Sequence, residues 1–128
     1  NKEINTTINI VDDQIGCPTS SISLSNACWA SLERTNSPTI LQWTDLGSSS
    51  WYDFAYAIKK ILQERNLVES LRQIEPIRSE KFFTEAERPH YSLLDCCETY
   101  KSLNLKANHW TFELNKVVNQ FIEGKESI

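Results

Sequence analysis

Residues 50–62, S-W-Y-D-F-A-Y-A-I-K-K-I-L, place the strongest constraint on what this chain can fold into. At about 100° per residue, Trp51, Phe54, Ala55, Ile58, Ile61 and Leu62 fall within about 120° of arc. A helix here therefore carries one apolar face that a second layer must cover. Ser50 is placed to cap it, and Asp53 at the N3 position makes a near match to a capping box and favours the positive end of the helix dipole. Trp51 is expected in the core.

The layer that could cover this face is short and β-prone. Ile8, Ile10 and Val11 read as a strand running into D-D-Q-I-G-C-P-T, where Gly16 and Pro18 interrupt regular structure. A helix is expected from Ser20 or Ser21, since Leu24, Ala27, Cys28, Ser31 and Leu32 keep helical spacing and Asn36, Ser37 and Pro38 would end it. Thr39–Thr44 reads as a second strand and Gln73–Ile77 as a third. Pro89 biases Arg88 toward extended backbone ahead of a short strand at Tyr91–Leu94. A brief helix from Asp95 or Cys96 to Leu103 follows, and a last helix from about Trp110 to Glu123 aligns Trp110, Leu114, Val117 and Phe121 before Gly124. Strands alternating with three to four helices imply an α/β layered fold around a thin sheet of three or four strands.

At 128 residues the chain is one domain or part of one, and its 40% hydrophobic and 23% charged content is that of a folded, water-soluble product. The net charge of -4 is spread over interspersed acids and bases, so no basic stripe is available for nucleic acid. No apolar run approaches the roughly 18 residues of a membrane span, and N-K-E-I-N-T-T lacks a signal peptide's apolar core, so the expected compartment is the cytoplasm. Cys17, Cys28, Cys96 and Cys97 show neither Cys-x-x-Cys spacing nor a disulfide framework, and with His90 and His109 they suggest no metal site; reduced cysteines acting as small core residues are expected. The sequence contains no Met, which predicts that the chain is part of a longer polypeptide.

Tyr56 and Lys60 match Tyr-x-x-x-Lys, a spacing at which an ammonium can lower a phenol's pKa for proton transfer. On the helical wheel, however, both lie opposite the apolar face, so a solvated pair is expected and no catalytic residue is assigned. Gly16, Gly47 and Gly124 are too dispersed for a dinucleotide or P-loop cradle, and Gly-x-Ser-x-Gly is missing. Arg88 remains. Presented by Pro89 in A-E-R-P-H-Y-S-L-L-D, it could offer a bidentate fork to a phosphate or carboxylate, or simply pair with Glu85 or Glu87 at the surface.

Three ordered segments, V-D-D-Q-I-G-C-P-T at 11–19, S-W-Y-D-F-A-Y-A-I at 50–58 and A-E-R-P-H-Y-S-L-L-D at 86–95, together with the trailing tryptophan helix, resemble the C-terminal part of dTDP-4-dehydrorhamnose reductases. These are extended short-chain dehydrogenases with a Rossmann-like fold. The resemblance covers nearly the whole chain and implies a sugar-nucleotide binding portion over residues 1–128, without the N-terminal half that binds NADPH and carries the catalytic Tyr-x-x-x-Lys. It implies reduction of the C4 ketone of dTDP-4-dehydro-L-rhamnose, for polysaccharide synthesis, by the complete enzyme and no catalysis by this chain alone.

The same resemblance makes Arg88 the diphosphate ligand, the second arginine of a family Ala-Arg-Arg-Pro in which Glu87 replaces the first. It places Gln14 and Thr19, which bound the Gly-x-Pro-Thr turn, along the substrate cleft, where fixing the loop is the competing role; Asp12 and Asp13 receive no catalytic role. The partners implied are a dTDP-sugar nucleotide, the Rossmann half or a chain supplying it, and a possible homodimer, with an unpaired sheet edge at residues 39–44 favouring self-association or marginal stability. Two alternatives stay open: a non-catalytic interaction module similar to the regulatory beta subunit of methionine adenosyltransferase, and a reductase or epimerase for another nucleotide sugar.

Overall fold

The computed structural model describes residues 7–35, 38–67 and 72–126. It divides into two compact units, Asn1–Gly16 with Ser49–Ser92, and Cys17–Ser48 with Leu93–Ile128.

In the first unit the β-branched run becomes strand β1, Ile8–Val11, as expected. β2 spans Ile15–Gly16, β3 Ser49–Ser50, helix α2 Trp51–Glu64 and β4 Ile74–Ile77 (α1 belongs to the second unit). β1 and β4 pair in parallel, from Ile8 against Ile74 to Val11 against Ile77. Parallel neighbours cannot be joined by a tight turn, and α2, which lies between them in sequence, packs against both. Val11 and Ile61 are buried where helix and strands meet. The capping box forms: Asp53 N donates to Ser50 Oγ at 3.0 Å and Ser50 N to Asp53 Oδ2 at 3.1 Å.

Three expectations for this unit change. Trp51 is 60% exposed instead of buried, because a residue in the first helical position leans toward the N-terminus and projects past the end of the helix. The strand at Tyr91–Leu94 shrinks to one bridge, Tyr91 with Ile15, because β2 offers only two residues to pair with. Among the described residues the thin sheet is instead two two-stranded sheets, β1 with β4 and β2 with β3.

The second unit contains α1 at Ser21–Leu32, α3 at Cys97–Leu103 and α4 at Trp110–Glu126. With α2, four α-helices occur among the described residues, as the sequence implies. Ser20 is the N-cap residue of α1 but its hydroxyl makes no capping bond. Asp45 caps the helix from 25 residues away: its carboxylate accepts from Ser20 N at 2.8 Å and from Ser23 Oγ at 2.5 Å, and the residue is only 2% exposed. The Asp45 backbone carbonyl accepts from Cys17 Sγ at 2.9 Å.

Residues 39–45 form no strand, which removes the exposed edge expected there. Side chains meet their backbone groups instead: Thr99 Oγ1 accepts from Gln42 N at 3.0 Å and Tyr100 Oη donates to Thr44 O at 2.7 Å. Trp43 packs edge-on against Tyr100, with ring centroids 5.1 Å apart. Burial pushes the Tyr100 phenol up to about 12, so it keeps its proton and remains a donor at neutral pH.

Helix ends also depart from expectation. Asn36 and Ser37, expected to stop α1, lie outside the described residues, and the helix ends at Leu32. Only Ala27 of the α1 face is buried, and Leu24 and Leu32 are exposed. α3 closes on Asn104 in the left-handed conformation, φ 52°, which asparagine tolerates better than most residues. Gly124 does not end α4, which continues to Glu126. Its apolar stripe is buried at Trp110, whereas Val117 and Phe121 are exposed. Among the cysteines only Cys96 is buried, while Cys28 and Cys97 are at the surface and so do not serve as core.

Asp45→Ala strips the acceptor from two donors at once and is expected to lower unfolding stability by about 2–3 kcal/mol, with Asp45→Asn losing less. An unchanged urea midpoint for Asp45→Ala would refute its capping role. Gly47 has φ +95°, and a Cβ there would run into the His109 ring and Trp110. Gly47→Ala is therefore expected to cost about 1–3 kcal/mol in the same measurement.

Candidate functional site

In the first unit, three segments distant in sequence meet at Asp13. Its Oδ1 accepts from Ser79 N at 3.0 Å and from Ser79 Oγ at 2.5 Å. Its backbone oxygen lies 3.0 Å from His90 Nδ1, and its Oδ2 lies 3.7 Å from the same nitrogen. The Ser79 hydroxyl, helped by the Ser79 N–H and the His90 charge, holds the Asp13 carboxyl below its ordinary range, so it is ionised at neutral pH. Gln14 Nε2 donates to Ser79 Oγ at 3.1 Å, which makes the serine hydroxyl both donor and acceptor in one knot.

This knot fixes the loops from both ends. Ser79 opens a single 3-10 turn, Ser79–Lys81, directly after β4, and Arg78 is its capping residue. On the other side, Ile15 N donates to His90 O at 2.8 Å and Ser92 N to Ile15 O at 2.9 Å, so residues 90–92 are pinned beside β2. Arg88 stands two residues before that anchor, with Pro89 between. It is exposed and makes no hydrogen bond or ion pair among the described residues, so the surface pairing with Glu85 or Glu87 does not occur. Arg78 Nη1 lies 3.8 Å from Asp12 Oδ1.

Of the residues singled out from the sequence, Gln14 and Arg88 fall in this unit, on segments tied together through Asp13 and His90. Gln14 uses its amide nitrogen to hold Ser79. Thr19 belongs to the second unit, where its hydroxyl donates to Cys17 O at 3.1 Å and accepts from Asp45 N at 3.4 Å. Those bonds fix the loop ahead of α1. Tyr56 is 54% exposed, and Lys60 pairs with Glu64 at 3.8 Å. Both lie on the solvated face that the helical wheel predicts.

Asp13, Ser79 and His90 escape the sequence reading because 66 and 77 residues separate the bonded partners, and no local spacing marks them. Among the described residues no group of His, Cys, Asp and Glu could hold a metal ion. No helix is long and apolar enough to cross a membrane.

The resemblance seen in the sequence is confirmed by comparison with known proteins. A dTDP-4-dehydrorhamnose reductase of Sinorhizobium fredii (strain NBRC 101917 / NGR234) is 26% identical, over 98% of this chain and 44% of the relative. A crystal structure of a dTDP-4-dehydrorhamnose reductase from Clostridium acetobutylicum superposes with a TM-score of 0.76 at 26% identity, covering 90% of this chain and 39% of that one. The Bacillus anthracis reductase, solved in complex with NADP, gives 0.70 at 30% identity, covering 89% and 38%. The fold is thus a small α/β domain that matches part of those reductases, and the chain spans about two fifths of their length. The family model described as RmlD substrate binding domain matches residues 2–123, and the chain belongs to that family.

Proposed function

We propose that this chain is the sugar-nucleotide-binding portion of an NADPH-dependent dTDP-4-dehydrorhamnose reductase, in which Arg88 grips the diphosphate of the substrate. The observation that carries the reading is the family match across residues 2–123 in a chain spanning about two fifths of its reductase relatives. An exposed guanidinium on a loop stiffened by Pro89 and anchored at His90 supports the role assigned to Arg88. A bidentate fork needs little reorganisation there to form charge-assisted hydrogen bonds with phosphate oxygens. Gln14 contributes by holding Ser79 in the knot around Asp13, and Thr19 fixes the loop ahead of α1 in the second unit.

The residues present do not fit NADPH. Pyrophosphate binding of that type needs a glycine-rich turn leading from a strand into a helix N-terminus. Gly16 lies in β2 with Ser92 Oγ crowding the place of a Cβ, Gly47 packs on His109 and Trp110, and Gly124 lies within α4. Hydride and proton therefore belong to a part outside this chain, and the work done here is recognition: binding energy gathered on the nucleotide positions the ketone for chemistry performed there. Glu87 beside Arg88 weakens the local positive field, which favours a second reading, a reductase or epimerase for another nucleotide sugar.

Two outcomes are expected of the purified chain. With NADPH and dTDP-4-dehydro-L-rhamnose it gives no cofactor oxidation above background, and turnover would overturn the division of labour. Arg88→Ala weakens thymidine diphosphate binding in calorimetry by about 10- to 100-fold, the scale of a charged hydrogen bond. Unchanged affinity would remove Arg88 from the site, and unchanged affinity together with lost capture of a partner protein would favour an interaction module.

A further inference from the structure

We infer that a cleft in the second unit, between the first turns of α1 and the first turns of α4, is a binding site for a small organic monocarboxylate. It lies wholly within that unit and takes in neither Arg88 nor Gln14.

The walls of the cleft are largely apolar. Ile22 from α1, Trp43 from the irregular segment and Leu105 from the chain before α4 supply them. The Trp43 indole N–H is already spent, donating to Ser23 Oγ at 2.9 Å, so the ring brings apolar contact and no free donor.

Size limits the occupant. The cleft offers about 120 Å³, whereas an apolar cavity of about 150 Å³ accepts benzene and drug-sized ligands take about 300–1,000 Å³. A single ring or a short chain fits, and a nucleotide does not.

Charge selects the sign. Glu113 lines the cleft at only 4% exposure, and its carboxylate is compensated on the spot. Asn108 Nδ2 donates to Oε1 at 2.7 Å, and Lys116 Nζ donates to both oxygens at 3.3 Å. An organic cation would have to displace Lys116 from this pair, and a buried carboxylate stripped of its partner is costly. Lys106 also lines the cleft, but its ammonium is exposed and makes no hydrogen bond or ion pair among the described residues. The Asn26 amide, on the same lining, makes no side-chain hydrogen bond there either. With Glu113 and Lys116 neutralising each other, one positive charge is left over, which matches a monoanion. A phosphate monoester carries nearly two negative charges at neutral pH, and the second would find Glu113 in place of a free cation. The carboxylate therefore pairs with Lys106 and accepts from Asn26, while its ring or chain covers Trp43 and Leu105.

The test titrates benzoate into the whole isotope-labelled chain by NMR, with benzyl alcohol, benzylamine and inorganic phosphate as comparison probes and melting temperature measured for each variant. Benzoate is expected to shift the Trp43 indole and Leu105 methyl resonances saturably, and to bind about tenfold more tightly than benzyl alcohol or benzylamine, which keep the ring without the anion. Lys106→Gln is expected to weaken benzoate about tenfold at an unchanged melting temperature, because its ammonium has no partner to lose. Asn26→Asp, which sets a negative charge on the lining, should weaken it as well. The proposal is overturned if benzoate gives no saturable shift, if benzyl alcohol or phosphate binds the cleft as tightly, or if Lys106→Gln binds benzoate as the unaltered chain does. Displacement of benzoate by thymidine diphosphate would also overturn it, since the cleft would then belong to nucleotide recognition. Arg88→Ala is expected to leave benzoate binding unchanged, so failure of either reading leaves the other standing.

Discussion

Each unit depends on an aspartate that accepts a backbone N–H from a distant segment: Asp45 from Ser20 and Asp13 from Ser79. The strands are two to four residues long, so their ladders supply few hydrogen bonds to fix the intervening loops. A carboxylate offers about four acceptor sites and so can hold a backbone donor and a hydroxyl together. In both cases the hydroxyl comes from a serine close in sequence or identical to the backbone donor, Ser23 for Asp45 and Ser79 for Asp13. Neither arrangement resembles an acid poised for proton transfer. Donors hold the Asp13 carboxyl ionised, and Asp45 is spent on the positive end of α1.

That economy shapes what the chain can do. A loop fixed by polar bonds to one residue can carry an exposed arginine without a hydrophobic platform beneath it, because the anchor at His90 limits the conformations open to that loop. The second unit uses the same device to leave residues 39–45 irregular, with Thr99 and Tyr100 satisfying backbone groups that a neighbouring strand would otherwise meet. The described residues present cations and rigid turns, and none of the three glycines sits in a glycine-rich turn of the kind that cradles a dinucleotide. Large apolar side chains such as Trp29, Leu32, Ile40 and Phe83 remain exposed on a chain that spans about two fifths of its relatives.

Much of the architecture was legible in the residues themselves. The α2 capping box, β1, β4 and the start of α4 were readable because propensity, capping and periodicity act within a turn or two of the residue concerned. The reading of Tyr56 and Lys60 as solvated also followed from local geometry, since one helical wheel settles which face a residue occupies. The family was legible for another reason: three segments, none decisive alone, were read together in their order along the chain.

What the sequence could not determine were pairings across long separations. β propensity at Thr39–Thr44 and Tyr91–Leu94 stated a capacity for a ladder, but a ladder needs a partner strand, and here side chains or a two-residue strand took that place. The same limit hid the knot at Asp13 and the cap from Asp45, because a hydrogen bond depends on distance in space and residues 13 and 79, or 20 and 45, have no reason to meet until the chain is packed. Local interactions wrote the helices and the family signature into the residues, while tertiary structure alone decided which loops are held, and so which arginines are left to face solvent.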